Sequence, residues 1–227
     1  MPWLQRCRVF EANSAGFWPK PAWRGTMLTV SQTGFPAMLA DSPDFFHPAP
    51  RAQHFCSQCG TPLVRRMPPG DNRLRDLCEH CGAVHYQNPR MVVGTVPIWQ
   101  GKVLLCLRAI EPRANTWTLP AGFMELAETL AHGAMRETQE EAGAAVELRG
   151  LYTVIDIPHV DQVHVYFLAD AVDATLDPGP ESQDARYFAF DEIPWENLSF
   201  RSVSTTLRCL LEDREKGCFG PHHLVLD

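Results

Sequence analysis

The hydrophobic residues in the second half of the chain fall into runs and alternations that predict β-strands. The runs 91–99 and 102–109 flank the turn signal Gln100-Gly101, so together they predict a β-hairpin. Further strands are predicted at 145–157, 161–172 and 186–190. The last nine residues, 219–227, leave two interpretations open, a terminal strand or a tail.

Two segments carry the periodicity and the end signals of helices. The first is predicted over residues 128–142, because Gly143 supplies a helix stop. The second is predicted at about 201–216, and loops are predicted at 110–116 and 177–184. Strands and helices mixed in this order predict an α/β fold built as a sandwich of layers.

The first half of the chain has a different texture. Residues 1–52 are rich in proline and show no sustained period, so they predict a poorly ordered extension. Internal methionines at 27 and 38 leave open whether residues 1–37 are translated. A cysteine-punctuated block at 53–90 predicts a small second domain, and 91–227 predicts the main domain.

Composition narrows the function classes. The chain has 227 residues, 45% hydrophobic and 21% charged, with a net charge of -7 and a pI near 5.7. An acidic chain disfavours broad nucleic-acid binding, whereas small anionic substrates need only one cation-filled pocket. We find no apolar run of the roughly 18 residues that a membrane span requires, and no signal-peptide pattern. The expected location is cytoplasmic, with no membrane partner.

Four cysteines have the spacing of a zinc site. Cys56 and Cys59 form one CxxC pair, Cys78 and Cys81 form another, and 18 residues separate the pairs. Four thiolates close a tetrahedral shell and leave no position for substrate, so the predicted zinc is structural. Two chance CxxC turns, or a redox dithiol, are the alternatives.

Acidic residues cluster on the first predicted helix. Glu137, Glu140 and Glu141 are spaced i, i+3 and i+4, so they share one helical face. Like charges at this spacing repel one another, and a hard divalent cation such as Mg²⁺, which prefers oxygen ligands, removes the repulsion. Taken alone, this pattern is more often a solvated acidic face.

The longer pattern around this helix resembles the Nudix box, G-x₅-E-x₇-R-E-U-x-E-E-x-G-U. This chain matches every fixed position of the box, from Gly122 to Gly143, but holds Thr138 and Ala144 at the two aliphatic positions. The resemblance implies a Nudix α/β/α sandwich behind a zinc ribbon, and hydrolysis of a pyrophosphate bond with Mg²⁺ or Mn²⁺. It also implies site residues: metal ligands Glu137, Glu140, Glu141 and the Ala121 carbonyl beside Gly122, and an orienting pair, Glu128 with Arg136.

A second, weaker likeness concerns the general base. The stretch ESQDARYF resembles a family segment, E-x-x-E-A-R-W-F, and makes Glu181 a candidate base beside the box glutamates. An exposed loop carboxylate is the alternative for Glu181. Arg108 ends the second strand of the hairpin, where it faces either the substrate phosphates or solvent.

The resemblance narrows the substrate to a nucleotide diphosphate derivative. A zinc ribbon before a Nudix domain is similar to NADH pyrophosphatases and to ADP-ribose or FAD pyrophosphatases. The SQPWPFPxS stretch of the NADH group is absent here, so ADP-ribose or FAD ranks first and NADH next, with AMP among the products. Two alternatives stay open, a non-catalytic nucleotide sensor and a hydrolase of nucleotide-capped RNA ends. The family also makes a homodimer one expectation.

Overall fold

The computed structural model describes the backbone of Leu28–Thr29 (strand β1) and residues 53–227. The extension predicted over residues 1–52 lies outside the described residues, apart from β1. The chain divides into two compact units, and the break falls between Pro89 and Arg90. Each unit has its own sheet.

The smaller unit contains a three-stranded antiparallel sheet and two similar turns. Its strands are β2 (Val64–Arg66), β3 (Arg75–Leu77) and β4 (Val84–His85), in the order β2-β3-β4. Each turn ends on a glycine with positive φ, 74° at Gly60 and 75° at Gly82. The amides of these glycines donate to the carbonyls of Cys56 and Cys78 over 2.8 and 2.9 Å. Only glycine adopts this conformation without strain, so both CxxC pairs turn tightly.

The larger unit holds a mixed sheet and two α-helices. The sheet order is β1-β12-β9-β10-β5-β6-β11, with β7 added to β6 and β8 added to β5. Its strands are β5 (Arg90–Trp99), β6 (Lys102–Arg108), β7 (Trp117–Thr118), β8 (Ala121–Phe123), β9 (Val146–Ile157), β10 (Gln162–Ala171), β11 (Ser182–Ala189) and β12 (His222–Val225). The helices are α1 (Leu130–Ala142) and α2 (Arg201–Lys216).

The predicted hairpin of β5 and β6 is confirmed, but its strands separate soon after the turn. They pair only at Ile98 with Val103 and at Trp99 with Lys102. Beyond these pairs, β8 bonds to β5 and β7 bonds to β6, so the segment 117–123 fills the opening. This opening places β8, which carries Ala121 and Gly122, within the sheet and next to the acidic helix.

Apolar side chains cover both faces of this sheet. On one face, α2 contributes Val203, Leu207 and Leu210 to a cluster with Tyr152 and Ile155 of β9. On the other face, a smaller cluster of Val93, Ala134 and Val165 packs α1 against β5 and β10. Helices on both faces make an α/β/α sandwich, as expected. No helix in the described part of the chain is both long enough and apolar enough to cross a membrane.

Two predicted boundaries change by two residues or more, and one open alternative is decided. Helix α1 begins at Leu130 rather than at Glu128, because the Thr129 side chain accepts the amide of His132 as an N-cap. Strand β11 begins at Ser182, which shortens the predicted loop at 177–184. The carboxyl-terminal segment, for which a strand or a tail was open, forms β12 alongside β9.

Thr138, which stands where the box pattern has an aliphatic residue, has a hydrogen-bonding partner in the sheet. The Thr138 hydroxyl is fully buried and donates to the Ala134 carbonyl over 2.7 Å. The Thr95 hydroxyl of β5 lies 2.6 Å away, and because Thr138 has spent its single proton, Thr95 is the donor between them. A polar pair therefore takes the place of an aliphatic contact between α1 and the sheet.

We expect Thr138→Val to lower the free energy of unfolding by about 1–3 kcal/mol, because it leaves the buried Thr95 hydroxyl without its acceptor. Thr95→Val should lower the free energy of unfolding by less, because the Thr138 hydroxyl still donates to the Ala134 carbonyl. Urea unfolding of both single variants and the double variant measures the coupling. This account would be contradicted if the double variant lost more free energy of unfolding than the two single variants lose in sum.

Candidate active site and zinc cluster

One arginine connects the acidic residues of the box. The Arg136 guanidinium donates to both Glu128 carboxylate oxygens, over 3.0 and 2.8 Å. It also reaches Glu137 at 2.7 Å, Glu140 at 3.0 Å and the Phe123 carbonyl at 3.2 Å. Arg136 thereby fixes both the helix and the loop before it. The expected pairing of Glu128 with Arg136 is present, although Glu128 precedes the helix.

The environment keeps Glu128 charged. The hydrogen bond from Arg136 and the amide of Glu125, at 2.6 Å, lower the pKa of Glu128 to about 2. The same pairing raises the pKa of Arg136. Glu128 is committed to these two partners, which suits an orienting residue better than a proton carrier.

The loop before the helix lies directly against two glutamates. The Ala121 amide donates to a carboxylate oxygen of Glu141 over 3.1 Å. A Cβ on Gly122 would collide with the Glu137 carboxylate. Glycine at 122 therefore leaves the space that this carboxylate occupies. The contact of Ala121 runs through its amide, and its carbonyl stays a proposed metal ligand.

The three box glutamates differ in exposure. Glu137 and Glu141 are 9% and 7% exposed, whereas the Glu140 side chain is 59% exposed. Burial raises the pKa of Glu141 to about 8, against the lowering effect of the Ala121 amide. Burial also raises the pKa of Glu137, against the hydrogen bond from Arg136. Two buried carboxylates that repel each other beside an exposed third one fit a hard divalent cation.

Without a divalent cation, stability should fall as the pH rises. The folded protein binds the Glu141 proton up to about pH 8, whereas the ordinary value is 4.5. Between these values the folded state holds more protons than the unfolded state, so the free energy of unfolding decreases by up to about 1.4 kcal/mol per pH unit. Urea unfolding in Mg²⁺-free buffer, without a chelator that would strip zinc, measures this slope.

Glu141→Gln is the matched comparison for this slope, because it is neutral at every pH. We expect the variant to be the more stable protein above about pH 7 in the absence of Mg²⁺, and saturating Mg²⁺ to reverse that order. Equal slopes in the two proteins would show that Glu141 does not carry the effect.

Gly122→Ala should reduce activity far more than stability. The added Cβ displaces the Glu137 carboxylate. Because this carboxylate is the end of a flexible side chain, its displacement costs little free energy of folding. A displacement of about 1 Å can cost about 100-fold in rate. Mn²⁺ affinity and turnover, measured beside Gly220→Ala, test this, since a Cβ on Gly220 meets nothing within 4 Å. Unchanged turnover in Gly122→Ala would exclude the steric role.

Glu181 ends the loop that precedes β11, close to the box. Its carbonyl accepts the Ala109 amide at 2.8 Å, and its side chain is exposed. Its charge contributes to raising the pKa of both Glu137 and Glu141. The backbone of Gly179 packs so closely on the Glu140 carbonyl that a Cβ there would collide with it. The structure therefore brings Glu181 towards the glutamates of α1.

No local sequence pattern indicates the polar residues that hold the loop at 109–116 in place. Gln183 donates to the Arg108 carbonyl at 3.1 Å and to the Asn115 side chain at 2.7 Å. Arg113 donates to the carbonyls of Ser199 and Leu198 at 3.0 and 3.4 Å. These residues tie the loop to β11 and to the segment before α2. The positive φ values of Arg113 and Asn115, 67° and 64°, carry no recognisable residue signature.

The four ribbon cysteines come together as predicted. Their sulfurs all lie within 4.8 Å of one another, with 3.6 Å between Cys56 and Cys81 and 3.4 Å between Cys59 and Cys78. A tetrahedral site with zinc–sulfur bonds of about 2.3 Å places its sulfurs about 3.8 Å apart. The cluster therefore fits zinc closely. The cysteines belong to two turns of one unit, so the site is complete within the ribbon.

Three arginines of the ribbon, which could otherwise form a basic patch, each lie close to a carboxylate. Arg66 pairs with Glu79 at 2.7 Å, Arg75 pairs with Asp71 at 2.9 Å, and Arg65 lies 4.0 Å from Asp76. Arg75 also stacks on the Tyr86 ring at 5.1 Å. This arrangement favours ion pairs within the ribbon over an open surface for a nucleic-acid backbone.

Two family models match consecutive parts of the chain. The model described as "Nudix N-terminal", a zinc ribbon, matches residues 54–87, and the NUDIX domain matches residues 88–206. The second match covers more than half of the chain and includes the whole acidic site. The chain belongs to the Nudix family, a family of divalent-metal-dependent hydrolases, and carries a zinc-ribbon domain in front.

Proteins of similar sequence include several that are named NAD-capped RNA hydrolase NudC. The protein from Pectobacterium atrosepticum is 28% identical over 173 residues, 76% of this chain and 63% of that protein. The one from Edwardsiella ictaluri is 31% identical over 174 residues, 76% of this chain and 64% of that protein. This chain therefore spans less than two thirds of the length of these relatives.

Solved structures agree on the fold. A Nudix hydrolase from Nitrosomonas europaea is 47% identical, with a TM-score of 0.74 over 77% of this chain and 99% of that one. An ADP-ribose pyrophosphatase from Streptococcus suis is 20% identical, with a TM-score of 0.51 over 60% and 99% of the two chains. The second likeness concerns the fold alone.

Proposed function

We propose that this protein is a Mg²⁺-dependent pyrophosphohydrolase of a nucleotide diphosphate derivative and releases AMP. The favoured substrates are ADP-ribose or FAD, followed by NADH. The observation that carries the proposal is the pair of buried carboxylates, Glu137 and Glu141, held against the Ala121–Gly122 loop beside the exposed Glu140. Mn²⁺ is expected to replace Mg²⁺, because both are hard cations that prefer oxygen ligands.

Each residue has a separate part in this proposal. Glu137, Glu140 and Glu141 hold the cations, with the Ala121 carbonyl as a further ligand. Arg136 and Glu128 keep the acidic face and the preceding loop in register. Cations held by these residues would supply positive charge to the substrate and would make the attacking water more acidic. Since positioning and charge neutralisation dominate such reactions, rigid placement of these carboxylates matters most.

Glu181 is our candidate for the general base. Its carboxylate is exposed, its backbone is tied to Ala109, and its charge is felt at both buried glutamates. From this position it would accept the proton of the attacking water at a carboxylate oxygen. Glu181→Gln should therefore lower kcat by a much larger factor than it changes Mn²⁺ affinity.

A second candidate substrate is an RNA with a 5′ NAD end. The relatives that carry this activity in their names favour it, because their likeness covers both the ribbon and the Nudix domain. The paired arginines of the ribbon count against extensive contact with an RNA backbone. If RNA ends are substrates, we expect the cap, rather than the RNA body, to provide most of the affinity.

A substrate panel tests the proposal. The zinc-loaded protein is incubated with Mg²⁺ and, separately, with ADP-ribose, FAD, NADH, NAD and 5′-NAD RNA. Mass spectrometry follows AMP or the shortened RNA end, with Glu141→Gln as the control. AMP from a dinucleotide that disappears in the variant supports the proposal, and the fastest substrate names the class. Binding without cleavage of any substrate would overturn it in favour of a nucleotide sensor.

A further inference from the structure

A short turn between β10 and β11 carries Glu181, the candidate general base. Gly179, Pro180, Glu181 and Ser182 form a β-turn, which the Ser182 amide closes by donating to the Gly179 carbonyl over 3.0 Å. Proline stands at the second position, where its ring fixes φ near the value that such a turn requires. The turn is therefore stiff, and a displacement of its first residue also displaces Glu181.

Both sides of this turn are attached to the rest of the Nudix unit. On one side, the Asp177 amide donates over 2.8 Å to the Ala142 carbonyl, one of the carbonyls that the end of α1 leaves free. On the other side, the Glu181 carbonyl accepts the Ala109 amide over 2.8 Å. The turn thus connects the carboxyl end of α1 with the residue that follows β6.

Between these attachments, Gly179 lies against α1 with no space for a side chain. A Cβ at this position would collide with the Glu140 carbonyl oxygen, which belongs to the backbone of the helix and cannot swing aside. Gly179 is not among the glycines with positive φ. The need for glycine therefore comes from this contact and not from a left-handed backbone. Gly179 sets how closely the turn approaches the helix.

The part of α1 that Gly179 contacts is the part that carries the proposed cation ligands. Glu140 is itself one of them, and Glu137 and Glu141 lie on the same helical face. The charge of Glu181 contributes to raising the pKa of both Glu137 and Glu141. The Glu181 carboxylate is therefore within electrostatic reach of the two buried ligands, and Gly179 stands between them and the turn.

We propose that Gly179 is a positioning residue for Glu181, an inference that rests on the proposed function. Its contact with the main chain of Glu140 fixes the separation between the turn and the cation-binding face of α1. Pro180 and Glu181 are exposed, whereas α1 is packed on the sheet through Ala134. A side chain at position 179 therefore displaces the turn rather than the helix, and carries the Glu181 carboxylate away from the attacking water.

Gly179→Ala tests this inference, because the added methyl group moves the turn away from α1. We expect kcat to fall about 10- to 100-fold, since a misplacement of about 1 Å can cost about 100-fold in rate. Mn²⁺ affinity should change by a much smaller factor, because the ligands on α1 stay in place. Gly220→Ala is the matched control and should keep the wild-type kcat, since its Cβ meets nothing within 4 Å.

A double-variant cycle with Glu181→Gln separates positioning of Glu181 from a general disturbance of the site. If Gly179 acts through Glu181, the double variant has the kcat of Glu181→Gln alone. Losses that multiply in the double variant would overturn the inference, and so would wild-type kcat in a folded Gly179→Ala protein. Either result leaves the proposed function standing, since the wild-type protein still releases AMP.

Pro180→Gly decides the matter if unfolding curves show that Gly179→Ala is not folded. This variant adds no collision but loosens the turn, so we expect a smaller loss of kcat, with no further loss when it is combined with Glu181→Gln. Wild-type kcat in Pro180→Gly would then overturn the inference. Wild-type kcat in Glu181→Gln would overturn both the inference and the assigned base. A wild-type protein that cleaves no substrate of the panel would overturn the proposed function itself.

Discussion

Replacing Glu141 with glutamine should abolish turnover while leaving the fold intact. Glu141 is buried, it accepts the Ala121 amide, and it lies on the same helical face as Glu137. Glutamine keeps the shape and can still accept that amide, but it contributes no charge to a cation. Cation stabilisation of a transition state is worth several kcal/mol, so we expect kcat to fall by about 10³-fold or more.

Initial rates with the best substrate of the panel, over a range of Mg²⁺ concentrations, measure this effect. Glu147→Gln provides the matched control, because it makes the same change at an exposed position of β9. We expect Glu147→Gln to be as active as wild type. Recovery of wild-type kcat by Glu141→Gln at high Mg²⁺ would show that Glu141 tunes affinity only. Full activity at ordinary Mg²⁺ would remove Glu141 from the site.

The elements that could be predicted from the sequence are those with a strong local pattern. The continuous apolar run marks the limits of β5, and the glycine after α1 marks the end of that helix. The sequence therefore predicts these limits to within one or two residues. The predicted start of α1 at Glu128 is wrong. Glu128 fits the helical period, but its carboxylate accepts a hydrogen bond from the Glu125 amide in the preceding loop. The two-residue strand β7 and the short β8 carry no period, since they form only where β5 and β6 separate.

The same distinction holds for the candidate site. Spacing alone placed Glu137, Glu140 and Glu141 on one face, because helix geometry relates residues three and four apart. It could not show which of them are buried, since burial depends on how α1 packs against β5 and β8. The position of Arg108 beside Phe200 joins residues 92 positions apart in the chain. Such contacts follow from topology, and no local pattern records them.

The ribbon is a case in which spacing alone predicts which side chains come together. Its cysteines belong to two turns that are built alike, each with a glycine at positive φ after the second cysteine. Apart from cysteines, the described ribbon residues include one buried apolar side chain, Pro68, while Phe55, Met67 and Leu74 are at least half exposed. So small a unit has almost no hydrophobic core of its own. We therefore expect its stability to come largely from a bound metal.

Cys78→Ser should therefore unfold the ribbon. Structural zinc contributes about 10–16 kcal/mol to small domains of this kind, far more than the few buried side chains here can replace. Hydrogen exchange followed by mass spectrometry should show loss of protection across residues 54–87 of the variant, with α1 and α2 still protected. Metal analysis should find one zinc per wild-type chain and little in the variant.

His80→Ala provides the matched control, because His80 lies inside the second CxxC turn but outside the four-sulfur cluster. We expect this variant to keep its zinc and its protection. A Cys78→Ser chain that retains both zinc and slow exchange in the ribbon would contradict the four-cysteine site. Loss of protection in α1 as well would show that the Nudix unit depends on the ribbon for its own stability, since each unit otherwise has its own sheet and its own buried contacts.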